Sequence, residues 1–148
     1  MSTALTTDLQ SALSRNKETW AAACRLLYSG QTEEFLQFWT PDGRYSVAYP
    51  VPGLPDVVQG HDELRAMFGA FGTATSNIEV HDVQFHQTID PDVVFVQERM
   101  IAQLHGGGTY ENVLVIRVTF RDGLIADMLE YYGQRAHEDL LQKVGFGN

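Results

Sequence analysis

Apolar residues in the first part of the chain recur at helical spacing. Leu9, Leu13, Trp20, Cys24 and Leu27 fall on one face, which predicts a helix from about Asp8 to Tyr28, with a break near Ser14 and an end at Ser29-Gly30. Thr32 is placed to cap a second, short helix whose first turn holds Glu33 and Glu34. Phe35, Leu36, Phe38 and Trp39 form its apolar side, Pro41 stops it and Asp42-Gly43 turns the chain. Arg44 to Tyr49 then alternates as a strand does, with Tyr45, Val47 and Tyr49 on one face. A stiff loop, Pro50-Val51-Pro52-Gly53-Leu54-Pro55, leads to a third helix from about His61. Its stripe is Leu64, Met67, Phe68 and Phe71, and Gly72 ends it.

From there the pattern has a period of two. Strands are predicted over Ile78–Ile89, Val93–Leu104, Tyr110–Phe120 and Leu124–Gly133, followed by a helical tail over Ala136–Val144. The alternation slips between Val80 and Val83, which predicts a bulge. Arg121-Asp122-Gly123 makes a tight turn between the last two strands. Helices first and an antiparallel meander afterwards is an α+β pattern, with helices on one side of the sheet. At 148 residues, the chain suits a single domain spanning residues 1–148.

Charge removes several function classes. The formal net charge is −9 and the basic residues are scattered, which argues against binding nucleic acid or an anionic membrane surface. No stretch is apolar enough for long enough to span a bilayer, and Met1 to Asp8 lacks the features of a secretory signal, so a cytoplasmic protein is expected. Cys24 is the lone cysteine and no two histidines share a metal-binding helical spacing, so neither a disulfide nor a metal site is expected. Gly106-Gly107-Gly108 precedes no helix and reads as a hairpin loop rather than a phosphate cradle.

Three motifs recur in order: Phe38-Trp39-Thr40-Pro41-Asp42-Gly43, then Gly60-His61-Asp62-Glu63-Leu64, then Arg121-Asp122-Gly123-Leu124-Ile125 leading to Glu130-Tyr131. In this order and spacing they resemble the nuclear-transport-factor-2-like superfamily from about Asn16 to Gly133. The resemblance implies a cone-shaped fold, a curved, mostly antiparallel sheet whose helices enclose one apolar pocket. Gly108-Thr109-Tyr110-Glu111-Asn112 resembles phenazine-biosynthesis proteins of the PhzA/PhzB type. Glu130, seven residues after Gly123, matches the acid of those proteins and the catalytic carboxylate of SnoaL-like polyketide cyclases. Both branches work without a metal or organic cofactor, and the resemblance implies a homodimer formed through the outer sheet face near Val113, Val115 and Arg117. Departures are equally legible. Met67 and Phe71 stand where the phenazine proteins carry a His and a Ser, and Phe35 replaces their Arg. Tyr49 and Ile116 stand where steroid isomerases of the superfamily carry their two Asp residues.

Strand alternation sorts the candidate chemistry. Tyr110, Asn112, Leu114, Ile116, Val118 and Phe120 share one mostly apolar face, which predicts an interior face. On the last strand Leu124, Ala126, Met128, Glu130 and Tyr132 share a face. A carboxyl placed there is raised in pKa by burial and can donate a proton to a carbonyl or epoxide oxygen, or collect one from an acidic C–H. Glu130 is therefore the candidate acid/base, with Tyr110 and Asn112 as candidate donors to a developing oxyanion. Trp39, Tyr45, Tyr49, Met67, Phe71, Leu114 and Met128 are the candidate substrate-binding wall. The alternative for Glu130 is a structural ion pair with Arg99 or Arg117.

The reading that follows is an enzyme without cofactor, a cyclase, isomerase or dehydratase of secondary metabolism. It would act on an apolar, polyketide-like molecule by acid/base catalysis and by shaping the substrate. The alternative is a binding module that sequesters an apolar metabolite. A pure interaction domain, the third class, has no second domain or basic surface to support it.

Overall fold

A computed structural model describes residues 3–144. The elements are α1 (Thr3–Tyr28), α2 (Thr32–Leu36), β1 (Trp39–Val47), β2 (Val57–Gln59), α3 (His61–Ala74), β3 (Thr75–Gln87), β4 (Val93–Leu104), β5 (Thr109–Arg121), β6 (Leu124–Tyr132) and α4 (Gln134–Lys143). The six strands form one curved sheet in the order β2-β1-β6-β5-β4-β3. Only β1 and β6 pair in parallel; every other neighbouring pair is antiparallel. This is the α+β architecture expected. No helix among the described residues is long and apolar enough to cross a membrane.

The inner face of the sheet is built by clean alternation. Val94, Val96, Met100, Ala102 and Leu104 of β4, with Tyr110, Leu114, Ile116, Val118 and Phe120 of β5, are all buried on it. The helices cover that face with Trp20 and Ala23 of α1, Phe35 and Leu36 of α2, Leu64 and Phe68 of α3 and Leu140 of α4. Edge-to-face rings tie the front of the molecule together: Phe35 lies 5.0 Å from Phe68 and 6.0 Å from Trp39, and Tyr45 lies 5.6 Å from Phe68.

Several local expectations give way to tertiary hydrogen bonding. The second helix ends at Leu36, and Trp39 opens a strand, because the Ile125 N–H donates to the Phe38 carbonyl at 2.7 Å and draws this segment against β6. Pro41-Asp42-Gly43 becomes an irregularity within β1 rather than a turn before it. Thr32 does not cap α2; Gln31 holds the N-cap position and its side chain makes no capping bond. The break near Ser14 is absent, and α1 runs through it. Gly72 does not end α3. The helix continues to Ala74, where the Thr73 and Thr75 hydroxyls donate to the carbonyls of Gly69 and Phe71 and offset the glycine's poor propensity.

The slip near Val80–Val83 is real and has a companion. Register shifts separate Ser76 from Glu79 and His81 from Gln84, and Asn77 and Asp82 take φ values of 47° and 56°. Asn and Asp tolerate that left-handed region better than other side chains. A third irregularity alters β6. Phe120 pairs with Ile125 and Thr119 with Asp127, so Ala126 is an extra residue. The inner face of β6 is therefore Ile125, Met128, Glu130 and Tyr132, not the simple alternation from Leu124 through Ala126.

Gly43 is needed for space, not for φ. A Cβ there would stand 2.5 Å from Cε3 of the buried Trp39 ring and 3.2 Å from the Thr40 carbonyl oxygen. Gly43→Ala is expected to destabilise the protein by about 1–3 kcal/mol, the ordinary range for overpacking a rigid core. Urea unfolding checks this, and an unchanged midpoint would show that the ring moves aside freely.

Candidate active site

Between the inner sheet face and helices α1, α3 and α4 lies a cavity of about 490 Å³. Its walls are mainly apolar: Met67 and Phe71 from α3, Leu27 from α1, Val51, Leu54 and Pro55 from the loop after β1, Leu140 and Leu141 from α4, and Met100, Leu114, Ile116 and Met128 from the sheet. Such a size and lining suit a drug-sized apolar ligand. The polar groups that reach it include Glu130, Tyr45, Tyr110, Tyr132 and Tyr28.

Glu130 is placed by the sheet. It pairs with Ile116 of β5 on one side and Val47 of β1 on the other, and its carbonyl oxygen accepts the Ala48 N–H at 2.9 Å. Its side chain is partly buried and borders the cavity. Oε2 accepts a hydrogen bond from the Tyr45 hydroxyl at 2.6 Å, a length typical of a charge-assisted O–H···O contact. Burial pushes the Glu130 carboxyl up to about 7; the Tyr45 bond pulls it down, and the negative charge of Glu98 pushes it further up. The two readings of Glu130 are thereby separated. Arg99 engages Glu111 at 3.0 Å and Asp82 at 3.5 Å, and Arg117 engages Asp127 at 3.3 Å. The carboxyl of Glu130 instead meets a tyrosine.

Tyr45 is held as a phenol, its pKa raised well above normal first by burial and then by the charge of Glu130. Burial likewise raises Tyr110, and raises Tyr132 to about 12. All three are therefore hydrogen-bond donors or acceptors and not phenolates near neutral pH. Among the described residues, no group of three or more His, Cys, Asp or Glu side chains is arranged to hold a metal ion.

The expected site residues separate into those at the cavity and those away from it. Glu130, Tyr110, Tyr45, Met67, Phe71, Leu114 and Met128 border the cavity. Asn112, Trp39 and Tyr49 do not. The Asn112 amide is engaged structurally: Nδ2 donates to the Tyr110 hydroxyl at 2.9 Å and to the Gly133 carbonyl at 3.0 Å, while Oδ1 accepts the Gly133 N–H at 2.8 Å. It fixes Tyr110 and the junction of β6 with α4. Trp39 is buried behind Phe35 and Phe68, one layer deeper than the wall. Tyr49 lies beyond the end of β1, is 52% exposed and packs against Tyr131. Its position follows from β1 ending at Val47, two residues before the predicted limit. Two further polar residues were missed, the half-buried Tyr28, which borders the cavity, and the buried Glu98. Glu98 carried the same signal as Glu130, a lone acid in an apolar alternation, here Val94, Val96, Met100 and Ala102.

The family model described as the SnoaL-like domain matches residues 20–128, which includes every strand up to Met128 and the segment carrying Tyr45. The chain belongs to the SnoaL-like domain family. An uncharacterized PhzA/B-like protein of Pseudomonas aeruginosa is 25% identical to this SnoaL-like chain over 127 residues, 84% of this chain and 89% of its own. The structure of the phenazine biosynthesis-related protein phzb2, from the same organism, covers 95% of this chain and 92% of its own with a TM-score of 0.74 and 19% identity. SalBIII, an epoxide hydrolase/cyclase-like enzyme with a role in pyran ring formation in the polyether salinomycin, covers 83% and 94% with a TM-score of 0.70 and 18% identity. At these identities the structural likenesses show that the fold is shared. The SnoaL-like family match extends across both faces of the cavity but stops two residues before Glu130.

Proposed function

We propose that this SnoaL-like protein is a cyclase or isomerase of secondary metabolism. Its substrate is an apolar, polyketide-like small molecule, and its tools are its own acid/base side chains and the shape of its cavity. The observation that carries the reading is Glu130, a carboxyl raised to about 7 inside an apolar cavity and hydrogen-bonded to Tyr45 at 2.6 Å. A carboxyl balanced near neutral pH is suited to both giving and taking a proton. The Tyr45 bond holds its geometry, and Tyr110, fixed by Asn112, offers a hydroxyl on the same inner face. The apolar wall orients the substrate and excludes water, which strengthens each polar contact. The family membership supports the same class, as does the ring-forming chemistry named for SalBIII.

The test is incubation with an apolar ketone bearing acidic C–H bonds, for which β-tetralone serves, in deuterium oxide. Protein-dependent exchange at the carbons beside the carbonyl supports the acid/base reading. Tight binding with the ketone recovered unlabelled supports sequestration of an apolar metabolite instead. Met67→Trp adds bulk to a residue that lines the cavity. It is expected to weaken ketone binding at least about 10-fold while changing stability by less than about 1.5 kcal/mol, because the added ring enters open space. Unchanged binding in that variant would place the ligand site elsewhere.

A further inference from the structure

The acid missed in the sequence stands in a distinctive place. Glu98 is 2% exposed in the middle of the apolar face of β4. Its Oε1 accepts a hydrogen bond from the Tyr28 hydroxyl of α1 at 2.9 Å. Glu98 pairs with Leu114, which pairs with Tyr132, while Glu130 pairs with Ile116 one row along. The two carboxyl-bearing residues thus lie on the same sheet face with β5 between their strands, roughly 12 Å apart by strand spacing and rise. Burying one carboxyl is unfavourable, and burying a second on the same face compounds it.

Tyr28 borders two spaces at once. One is the cavity that holds Glu130. The other is a separate cleft of about 440 Å³ between α1 and the bulged stretch of β3, whose walls include Glu98, Arg25, Val80 and Val83. Val83 is 55% exposed, so the cleft meets solvent there. A substrate that fills the apolar cavity displaces its water, yet the cleft still reaches Glu98 from the other side. Burial raises Glu98 as it raises Glu130, the Tyr28 hydrogen bond lowers Glu98, and the charge of Glu98 pushes Glu130 further up; in the step proposed below Glu98 is the carboxylate and Glu130 the acid. Around Tyr28 and Glu98 stand Cys24 and Arg25 from α1 and Glu130 from β6, and around Glu130 stand Tyr45 from β1, Tyr110 from β5 and Tyr132 from β6.

We propose that Tyr28 is a second catalytic residue of the cavity, relaying protons between bound substrate and Glu98, which trades them with water in the side cleft. The proposal rests on the acid/base reading above and adds the base to its acid. As a substrate C–H bond breaks, its proton passes to the Tyr28 oxygen while the Tyr28 proton passes to Oε1 of Glu98. The electron pair left on carbon forms the enol double bond, and the carbonyl oxygen takes the proton of Glu130. Glu98 ends neutral and Glu130 ionised. The reverse transfer, to the same or another carbon, regenerates both groups with no other reactant; a proton that Glu98 exchanges meanwhile with cleft water passes to Tyr28 in that reverse step and reaches carbon in the next turnover. Glu98 acts through Tyr28 and is a positioning residue.

Deuterium exchange into β-tetralone decides between outcomes, with ketone binding followed separately by tryptophan fluorescence. Tyr28→Phe and Glu98→Gln are each expected to slow exchange by about 10²-fold or more, the lower range for losing a general base, with binding preserved within about threefold. Exchange in Tyr28→Phe within about twofold of the wild type, alongside loss in Glu130→Gln, overturns this proposal alone. Undiminished exchange in Glu130→Gln overturns the reading beneath it, and a wild-type protein that binds the ketone without exchange overturns both. Should Glu98→Gln fail to fold, Tyr28→Phe, which removes a single oxygen, still decides. A ligand-free measurement stands beside these: in side-chain carboxyl NMR of the labelled protein, Glu98 is expected to ionise at lower pH than Glu130. The opposite order overturns the assignment of Glu98 as the base.

Discussion

Glu130→Gln is expected to lower turnover by about 10²- to 10⁴-fold, the usual range for removing a general acid or base, and to leave the protein folded. The substitution keeps size and shape. The amide oxygen can still accept the Tyr45 hydrogen bond, which is 2.6 Å long in the wild type. What disappears is the exchangeable proton. The ketone should bind to the variant within a few-fold of the wild type, because the apolar wall of Met67, Phe71, Leu114 and Met128 is untouched. A variant that binds normally and exchanges normally would end the acid/base mechanism. One that neither binds nor folds would instead make Glu130 a structural residue, and the circular dichroism spectrum separates those cases.

The same carboxyl predicts a pH-dependent stability. In the folded protein Glu130 gains its proton at about 7, against an ordinary value of 4.5. Between those values the folded form holds a proton that the unfolded chain has released. Stability therefore falls as pH rises from 4.5 to about 7 and is flat beyond. At about 1.4 kcal/mol per pH unit, the loss from this group reaches roughly 3–4 kcal/mol. Glu98, whose pKa burial also raises, acts with the same sign. Glu130→Gln lacks the Glu130 contribution. It should be more stable than the wild type near pH 8 and show no such advantage near pH 4 in urea unfolding. Equal slopes for the two proteins would mean that this carboxyl is solvated in the folded state. A variant that gains stability while losing turnover is the expected signature of a group retained for chemistry.

Much of the cavity was legible from period alone. The alternation of β5 correctly put Tyr110, Leu114 and Ile116 on the inner face, and the helical stripe of α3 correctly put Met67 and Phe71 opposite them. Glu130 was found because an acid in an apolar alternation is conspicuous. Glu98 has the same signature in β4 but lies outside the motifs that single out Glu130. Trp39 and Tyr49 were misplaced for a different reason. The Ile125–Phe38 hydrogen bond, which joins residues far apart in the chain, draws Trp39 into β1, and Tyr49 lies past the other end of that strand at Val47.

The chain by itself determined the main helices, the β3–β6 meander, the inner face of β5 and the apolar character of the cavity. Those properties come from local periodicity and side-chain chemistry, which any stretch of sequence carries within itself. Only the folded arrangement decided that β1 begins at Trp39, that Ala126 shifts the β6 register, that Asn112 is committed to Gly133 and Tyr110, and that Glu130 meets Tyr45 rather than an arginine. Apart from the Asn112–Tyr110 bond and the Ala126 irregularity, these depend on contact between segments far apart in the chain. Hydrogen-bond pairing across the sheet and exclusion of water by the helices set them, and neither is encoded in the neighbouring residues.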